Sequence, residues 1–556
     1  AVPLAALLTA VREGKRYVRV GNGRFATIRD DLRARLEGVS DVLYENEEGL
    51  AAGLAAAAEL RKIAEDVEGD EWLELLAKMN AAEGFDPPLP ESLRADLRGY
   101  QRDGYRWLSR LASWGAGACL ADEMGLGKTV QALALLVHRQ DEGPALVVAP
   151  TSVGAGWARE GERFAPTLRV IDYRGAKREA LLKDVGRGDL VLTSYDLLAR
   201  DDAALEKVRF STIVFDEAQA LKNARTQRAK AARRLQGDFR LALTGTPLEN
   251  HLGELWSLYS IVSPGFLGSW PHFGKRYATP IERDGDADKR AALGQRLRPF
   301  LLRRTKKEVT PELPPRTEVV RPVELSEAER NLYDAVRRDA LENLVAPGDG
   351  ARAENKRRFD VLAAMTRLRL LASHPRLVDA ASPVRSSKLQ AFLELVDELR
   401  ADGHRALVFS QFTSLLRLVR DALDLRGIRS LYLDGSTPVK RRAELVNAWQ
   451  EGDDPLFLIS LKAGGTGLNL TAADTVIHLD PWWNPAVEDQ ASDRAHRIGQ
   501  DKPVTIVRLV AQDTIEEAVL ALHGDKRALF QGVLEGAGEA AKLDTKELMA
   551  LIRGED

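Results

Sequence analysis

Short apolar runs alternate with helix-forming stretches in two separate parts of the chain. In the first part, β-branched runs at 144–150 (PALVVAP), 189–195, 211–217 (STIVFDE) and 240–246 are separated by segments rich in Ala, Leu and Arg. The pattern fades between about 250 and 385 and then returns in a second set of runs. These later runs are 404–412, 429–435, 455–461, 474–480 and 503–509. Such alternation predicts parallel sheets with helices on both faces, so we expect two α/β lobes.

The same pattern predicts the domain organisation. We expect an N-terminal accessory region at 1–90, a first lobe at 91–310 with a helical insertion at about 250–295, a linker and helical protrusion at 311–385, a second lobe at 386–530 and a C-terminal helical tail at 531–556. Within the accessory region, the Ala-rich segment 48–67 predicts a helix. The proline-rich segment 311–316 (PELPPR) predicts a hinge after the first lobe.

The composition is typical of a soluble globular protein of several domains. Apolar residues make up 44% and charged residues 29% of the 556 residues, and this length exceeds what one hydrophobic core usually serves. The single cysteine, Cys119, excludes an intramolecular disulfide and favours a cytoplasmic location. We predict no membrane span and no signal peptide. The chain starts at Ala1 rather than Met, which suggests a fragment or a processed protein.

Net charge gives no direct indication of a nucleic-acid partner. The formal net charge is −3, so any DNA binding would depend on local basic surfaces rather than on the field of the whole protein.

Residues 122–129 (DEMGLGKT) combine a glycine loop with the start of an amphipathic helix. Glycines allow backbone N–H groups to approach a phosphate, and a helix N-terminus presents partial positive charge to it. In this interpretation Lys128 reaches the β- and γ-phosphates and Thr129 offers its hydroxyl to Mg²⁺. Asp122 stands where the general P-loop pattern has glycine. The alternative interpretation is that Gly-Lys-Thr only begins a helix.

A pair of carboxylates follows the strand predicted at 211–217. A P-loop needs such a partner at the end of a neighbouring strand, and Asp216 is placed to hold Mg²⁺ while Glu217 orients or deprotonates the attacking water. An acidic helix start would also explain Asp-Glu after a strand. The occurrence of both motifs in one lobe favours a nucleotide site.

A cluster of polar residues in the second lobe suggests a further catalytic element. Gln490, Arg494 and Arg497 recur at spacings of four and three, which predicts one face of a helix. The two arginines are either a solvated ion-pair stripe or an arginine finger that neutralises charge on a transferring phosphoryl group. We favour the finger because the first lobe carries the nucleotide motifs.

Two other segments of the second lobe are candidates for nucleic-acid contacts. The backbone amides of 464–469 (GGTGLN) follow a predicted strand and are suited to a phosphate, although a plain turn would have the same sequence. Trp482 and Trp483 follow another strand end. They either stack on bases or pack in the core.

Together these motifs resemble those of the Swi/Snf-type ATPases of helicase superfamily two. The matching segments are DEMGLGKT, DEAQ, LTGTPLEN, LISLKAGGTGLNLTAADTVIHLDPWWNP and DQASDRAHRIGQ. Segment 97–108 (LRGYQRDGYRWL) resembles the adenine-contacting segment of that family, and 300–309 and 368–378 resemble the flanks of its helical insertions. The resemblance covers about 90 to 530, and we expect a bacterial member that is cytoplasmic or nucleoid-associated.

The resemblance implies two RecA-like lobes that bind ATP and Mg²⁺ and hydrolyse ATP in response to DNA. It implies catalytic roles for Lys128, Asp216, Glu217, Arg494 and Arg497. The implied ATP contacts are Gln101, Asp122, Glu123, Met124, Gly125, Leu126, Gly127, Lys128, Thr129 and Gln490. The implied Mg²⁺ ligands are Thr129 and Asp216. The implied DNA contacts are Thr151, Gly465, Thr466, Gly467, Asn469 and Trp483, and the residues implied to couple ATP to DNA are Thr244, Gly245 and Thr246.

We expect the protein to translocate along double-stranded DNA and thereby to remodel or displace a DNA-bound protein of unknown identity. We expect no membrane partner. Two alternatives stay open at this point. One is a strand-separating helicase, which would use the same catalytic residues. The other is an ATP-gated DNA clamp without turnover, against which the presence of Lys128, Asp216, Glu217 and Arg497 argues.

Overall fold

The computed structural model describes residues 10–11, 15–20, 24–30, 33, 36, 43–46, 49–52, 77–78, 80–82, 84–245, 251–309, 313–344, 351–464 and 468–521. These residues belong to two compact units, one that extends to Thr305 and one that begins at Lys306. The predicted tail at 531–556 and much of the predicted accessory region lie outside the described residues.

Two short antiparallel hairpins occur near the start of the chain. Strand β1 (Tyr17–Val20) pairs with β2 (Arg24–Thr27), and β3 (Leu43–Asn46) pairs with β4 (Gly49–Ala52). The helix predicted from 48 onward is therefore wrong at its start, because pairing with β3 overrides the helical preference of the alanines. Residues 53–67 of that prediction lie outside the described residues.

The first unit contains a seven-stranded parallel sheet, as its alternating pattern predicts. Its strands are β5 (Ala118–Leu120), β6 (Ala145–Ala149), β7 (Arg169–Asp172), β8 (Asp189–Ser194), β9 (Arg209–Asp216), β10 (Gln236–Leu243) and β11 (Leu301–Leu302). Their spatial order is β11-β5-β10-β9-β6-β8-β7. Strands β6 and β8 are buried along their whole length, as expected for a sheet covered on both faces.

Helices connect these strands and form the predicted insertion between β10 and β11. They are α1 (Gly99–Ser113), α2 (Lys128–His138), α3 (Thr151–Phe164), α4 (Tyr195–Arg200), α5 (Asp202–Leu205), α6 (Gln227–Arg234), α7 (Leu252–Val262), α8 (Trp270–Phe273), α9 (Thr279–Arg283) and α10 (Ala287–Leu297). Shorter helical turns lie at Arg178–Leu182, Ala218–Leu221 and Gly274–Ala278.

The second unit contains a six-stranded parallel sheet in the order β12-β17-β16-β13-β15-β14. Its strands are β12 (Arg316–Val323), β13 (Ala406–Ser410), β14 (Ser430–Leu433), β15 (Leu456–Ser460), β16 (Thr475–His478) and β17 (Val504–Ala511). Its helices are α11 (Lys306–Val309), α12 (Glu327–Leu344), α13 (Ala351–Ser373), α14 (Ser387–Ala401), α15 (Thr413–Leu425), α16 (Val439–Glu451), α17 (Leu461–Gly464) and α18 (Pro485–Ser492), with a turn at Pro375–Leu377. The predicted fold class, two RecA-like parallel-sheet lobes with helical insertions, is confirmed.

Alternate residues of the second sheet supply two separate hydrophobic cores. On β13, Val408 packs into one core, whereas Leu407 and Phe409 pack into the other. On β15, Leu458 packs into the same core as Val408, and Ile459 packs into the other core. Because successive side chains of a strand point to opposite faces, this division places apolar helices against both faces of the sheet.

Strand β12 was missed in the sequence. It pairs in parallel with β17 from Arg316 to Val323, inside the segment 311–385 that we expected to be linker and helical protrusion. Its residues are mostly exposed and include Pro322, since it is an edge strand with no second neighbour to require apolar side chains. No helix in the described part of the chain is both long and apolar enough to cross a membrane.

The buried histidine of β16 predicts a loss of stability in acid. His478 is buried, its Nε2 lies 2.9 Å from Oγ of Ser492, and burial lowers the pKa of His478 to about 4. An unfolded histidine has a pKa of about 6.5. Between these values the unfolded state binds a proton that the folded state excludes, so folding becomes less favourable as pH falls through this range.

We expect the free energy of unfolding to fall by about 2 kcal/mol between pH 7 and pH 5 because of this histidine. Burial raises the pKa of the Asp480 carboxyl to about 6, so this group binds a proton more readily in the folded state and offsets part of that loss of stability. Urea unfolding at both pH values should show a smaller pH difference for His478→Gln than for the unmodified chain. Equal differences in the two proteins would contradict the assignment.

Candidate functional site

The segment 122–129 forms a loop between a buried strand and a helix. Strand β5 is completely buried, and α2 begins at Lys128 immediately after the loop. Gly125 and Gly127 have φ angles of 92° and 76°, in the left-handed region that side chains disfavour. A Cβ atom at Gly127 would lie 2.5 Å from Nε2 of Gln101, so a larger residue here would displace the Gln101 side chain.

The predicted adenine contact lies directly against this loop. Gln101 is buried, and its Nε2 donates to the carbonyl oxygen of Leu126 at 3.1 Å. The backbone N–H of Arg98 donates to Oε1 of Gln101 at 2.9 Å, and the hydroxyl of Tyr100 donates to the same Leu126 carbonyl at 3.0 Å. The start of α1 and the loop are thus held together, although the contact of Gln101 with a nucleotide base stays a prediction.

The atypical residue of the loop, Asp122, has a specific partner. Its carboxylate is completely buried and accepts from Nε of Arg304 at 2.9 Å and from Nη2 at 2.5 Å. Arg304 also donates to Oε1 of Gln131 at 2.8 Å and lies against the ring of Tyr100. Asp122 therefore anchors the loop to the segment after β11. Arg304, which sequence reasoning did not single out, is part of the site.

Lys128 lies across the loop at the first position of α2. Its Nζ donates to the carbonyl oxygen of Asp122 at 2.6 Å and to that of Glu123 at 3.4 Å. The next residue, Thr129, is half-buried. The cation is therefore positioned beside the loop that we expect to hold the phosphates.

The two predicted carboxylates lie at the carboxyl end of β9. Asp216 is buried, and its Oδ1 accepts from the backbone N–H of Glu217 at 2.9 Å while its Oδ2 accepts from Nε1 of Trp157 at 2.7 Å. Burial, and then the neighbouring charge of Glu217, raise the pKa of the Asp216 carboxyl to about 7, whereas the charge of Lys128 lowers it. Leu243 of β10 is in register with both Leu120 of β5 and Asp216, so the loop after β5 and this carboxylate lie at the same edge of the sheet.

The backbone at Glu217 is in an unusual conformation. Its φ angle is 48°, one of two positive values at non-glycine residues in the described parts of the chain. Side chains disfavour this region, and such strain is concentrated at functional sites. It turns the chain sharply after the strand, so that Asp216 is buried while Glu217 stays half-buried.

A chain of hydrogen bonds joins Glu217 to the segment predicted to couple ATP and DNA. Thr244 is buried, and its hydroxyl donates to Oε1 of Gln219 at 3.0 Å. Nε2 of Gln219 then donates to Oε2 of Glu217 at 2.8 Å. A Cβ atom at Gly245 would lie 4.0 Å from the backbone nitrogen of Met124, so this segment lies near the loop. Thr246 lies outside the described residues.

The residues present fit a nucleotide-bound Mg²⁺ ion. Among the described residues no group of three or more His, Cys, Asp or Glu side chains forms a metal site of its own. Mg²⁺ bound to a nucleotide needs only one or two carboxylates, because phosphates and water supply the other ligands. The buried Asp216 and the hydroxyl of Thr129 are oxygen donors of this kind.

The prediction that Gln490, Arg494 and Arg497 share one face of a helix is wrong. Helix α18 contains Gln490 but ends at Ser492. Beyond it, the backbone N–H groups of Arg494 and Ala495 bond to carbonyls three residues back, whereas those of Asp493 and His496 bond to carbonyls four residues back. Just after this helix end, Nζ of Lys306 donates to Oδ1 of Asp493 at 2.7 Å. The side chain of Arg494 is buried in the second unit, whereas Arg497 is half-buried.

The predicted DNA contacts differ in their surroundings. Thr151 is exposed at the first position of α3, and Asn469 is exposed after the predicted phosphate-binding turn. Gly465, Thr466 and Gly467 lie outside the described residues. Trp483 is half-buried, packs against the core formed by α12 and α13, and lies 5.3 Å from the guanidinium of Arg369. Core packing therefore explains the burial of this tryptophan.

Comparisons with known proteins agree with this site. The SNF2-related domain model matches residues 100–377, and the helicase conserved C-terminal domain model matches residues 387–499. The chain belongs to the SNF2-related family.

Individual relatives come from bacteria and eukaryotes. YwqA of Bacillus subtilis is 39% identical over 493 residues, which cover 86% of this chain and 53% of that protein. The SWI/SNF-related matrix-associated actin-dependent regulator of chromatin subfamily A member 1 of Homo sapiens is 36% identical, covering 82% of this chain and 46% of that protein. The chain thus spans about half the length of these relatives. A solved SWI2/SNF2 ATPase core of Sulfolobus solfataricus in complex with double-stranded DNA is 32% identical, covering 84% of this chain and 97% of that one, with a TM-score of 0.42.

Proposed function

We propose that this chain is a DNA-dependent ATPase that translocates along double-stranded DNA and remodels or displaces proteins bound there. The observation that supports this most is the grouping of Lys128, Asp216, Glu217 and Thr244 in the first unit, in a chain of the SNF2-related family. A relative from Mycoplasma pneumoniae, 36% identical, bears the name ATP-dependent helicase.

The first unit binds ATP and activates water. Lys128 neutralises the β- and γ-phosphates, and Glu217 orients or deprotonates the attacking water. Thr129 and Asp216 are the residues that would hold Mg²⁺, which would neutralise charge on the phosphates. Gln219 fixes the Glu217 carboxylate by its 2.8 Å hydrogen bond, so the proposed base is oriented before substrate arrives.

The second unit supplies an arginine to the transferring phosphoryl group. Arg497 is the better candidate of the two, because Arg494 is buried against its own unit and its Nη1 lies 3.5 Å from the Leu468 carbonyl. A planar guanidinium spans two phosphate oxygens and stabilises the charge that develops in the transition state. Gln490, on α18, is assigned a supporting contact with the nucleotide.

Exposed residues of both units contact DNA. Thr151 and Asn469 are accessible to a phosphate backbone, and we keep the turn at 465–467 as a backbone-amide contact. Trp483 contributes indirectly, by packing. Contacts to phosphates would allow movement on any sequence, as translocation requires.

Steady-state ATP hydrolysis tests this proposal. We expect duplex DNA to increase the rate at least several-fold over the rate without DNA, and to exceed single strands of equal length. The stimulation should weaken with added salt, because phosphate contacts release counterions. Lys128→Ala serves as the control for contaminating ATPases. Equal rates with and without duplex would contradict DNA coupling, and hydrolysis at the Lys128→Ala level would indicate a clamp without turnover.

A further inference from the structure

Helix α3 extends from an exposed surface into the catalytic core of the first unit. Its first residue, Thr151, is the proposed DNA contact and is exposed, and no side chain caps this end of the helix. Six residues further on, Trp157 is 1% exposed and is among the largest fully buried side chains of the described chain. One helix therefore carries both a surface contact and a deeply buried anchor.

The anchor is attached to the proposed metal carboxylate rather than only to apolar neighbours. Nε1 of Trp157 donates to Oδ2 of Asp216 at 2.7 Å, and the second oxygen of this carboxylate is held by the backbone N–H of Glu217 at 2.9 Å. The hydroxyl of Tyr195 donates to the backbone carbonyl of Asp216 at 2.8 Å. The peptide and one carboxylate oxygen are thus fixed by β9 and its surroundings, while α3 fixes the other oxygen.

Burial of a tryptophan does not by itself require this hydrogen bond. Trp449, in the second unit, is also fully buried, yet its Nε1 has no hydrogen-bond partner among the described residues. A hydrogen bond from a stiff aromatic side chain to a ligating carboxylate is the arrangement by which outer residues orient a metal ligand.

Helix α3 is also poorly suited to be rigid on its own. Its sequence TSVGAGWAREGERF contains Gly154 and Gly156 shortly before Trp157, and glycine inside a helix is destabilising relative to alanine. At Gly156 no atom lies within 4 Å of the position that a Cβ would take, so close packing does not require glycine there. At Gly154 such an atom would lie 2.6 Å from Nη2 of Arg174, so there the helix packs closely. The two glycines make this part of α3 easier to deform than an alanine-rich helix, so contact with DNA can shift it.

We infer that Trp157 is a positioning residue that transmits the binding of DNA at the start of α3 to the orientation of the Asp216 carboxylate. This inference rests on the proposed function and specifies one route by which duplex DNA stimulates hydrolysis. Contact with DNA shifts the first turns of α3, the indole N–H moves with the helix, and Oδ2 of Asp216 takes the orientation in which it would hold Mg²⁺.

The binding of Mn²⁺, a paramagnetic substitute for Mg²⁺, tests this inference. It is measured on the complete chain in the presence of a non-hydrolysable ATP analogue. Electron paramagnetic resonance gives the affinity for Mn²⁺ with and without duplex DNA. We expect duplex to tighten Mn²⁺ binding in the unmodified protein. In Trp157→Phe, which keeps an aromatic ring but removes the N–H group, we expect Mn²⁺ affinity with duplex to fall by about 10–100-fold. Nucleotide affinity in EDTA should change little.

Trp449→Phe is the matched control, because it removes the same ring volume without removing a hydrogen bond. Thr151 is exposed, and Thr151→Ala tests the other end of the route. When duplex is present, this substitution should change Mn²⁺ affinity much less in a protein that already carries Trp157→Phe than in the unmodified protein. If duplex leaves Mn²⁺ affinity of the unmodified protein unchanged while still stimulating ATPase, only this inference is overturned. The same holds if Trp157→Phe behaves like Trp449→Phe. If duplex does not stimulate the unmodified ATPase at all, the proposed function fails as well.

Discussion

Replacing Arg497 by alanine should reduce DNA-stimulated ATP hydrolysis by about 10³–10⁵-fold, the range in which arginine fingers contribute. ATP affinity without DNA should hardly change, because an arginine finger acts on charge that develops in the transition state rather than on binding of the ground state. The loss should be largest with duplex present. Single-turnover hydrolysis and equilibrium binding of a fluorescent ATP analogue separate these two effects.

Two further variants make this result specific. Arg497→Lys should restore little activity, because a point charge cannot span two phosphate oxygens as a guanidinium does. Arg441→Ala is the control, since Arg441 is exposed on α16 and forms a local ion pair with Glu444 at 2.9 Å. Wild-type turnover in Arg497→Ala would show that the second unit does not supply its catalytic group through this residue.

The second large effect is expected at Glu217. Glu217→Gln should lower turnover by roughly 10²-fold or more, because an amide cannot accept the proton of the attacking water. The amide keeps the size of the side chain, and its oxygen can still accept the hydrogen bond from Nε2 of Gln219. ATP binding should therefore survive, as measured by isothermal titration in the presence of Mg²⁺.

Lys128→Ala should behave in the opposite way. Removing this ammonium group takes away the charge beside the phosphates, so the main defect of the variant should be weak ATP binding rather than slow turnover of bound ATP. A Glu217→Gln variant that hydrolyses ATP near the wild-type rate would exclude Glu217 as the base.

The strands were predictable because their signal is local. Runs such as 144–150 and 474–480 are short, apolar and bounded by polar residues, and β6 and β16 lie within them. Strand β12 was not predictable in this way, since an edge strand with exposed Val319 and Val320 and a proline lacks the buried pattern. The helix start at 48–52 was wrong because a strand pairs there, and the helical face at 490–497 was wrong because α18 ends at Ser492.

The site was predictable as far as its motifs are contiguous. DEMGLGKT and DEAQ place Lys128, Asp216 and Glu217 by sequence alone. The partner of Asp122 was not predictable, because Arg304 lies 182 residues away along the chain. Trp157 and Asp216 are likewise 59 residues apart, and nothing in the segment GAGWARE distinguishes a positioning tryptophan from one in the core.

Displacement of a third strand from a DNA triplex tests the central claim most directly. A protein that moves along intact duplex should expel the third strand in an ATP-dependent manner, and it should leave the two strands of the underlying duplex paired. Glu217→Gln should bind the same DNA without displacing anything. Separation of the duplex strands would instead identify a strand-separating helicase. DNA-stimulated ATP hydrolysis without any triplex displacement would contradict translocation on double-stranded DNA.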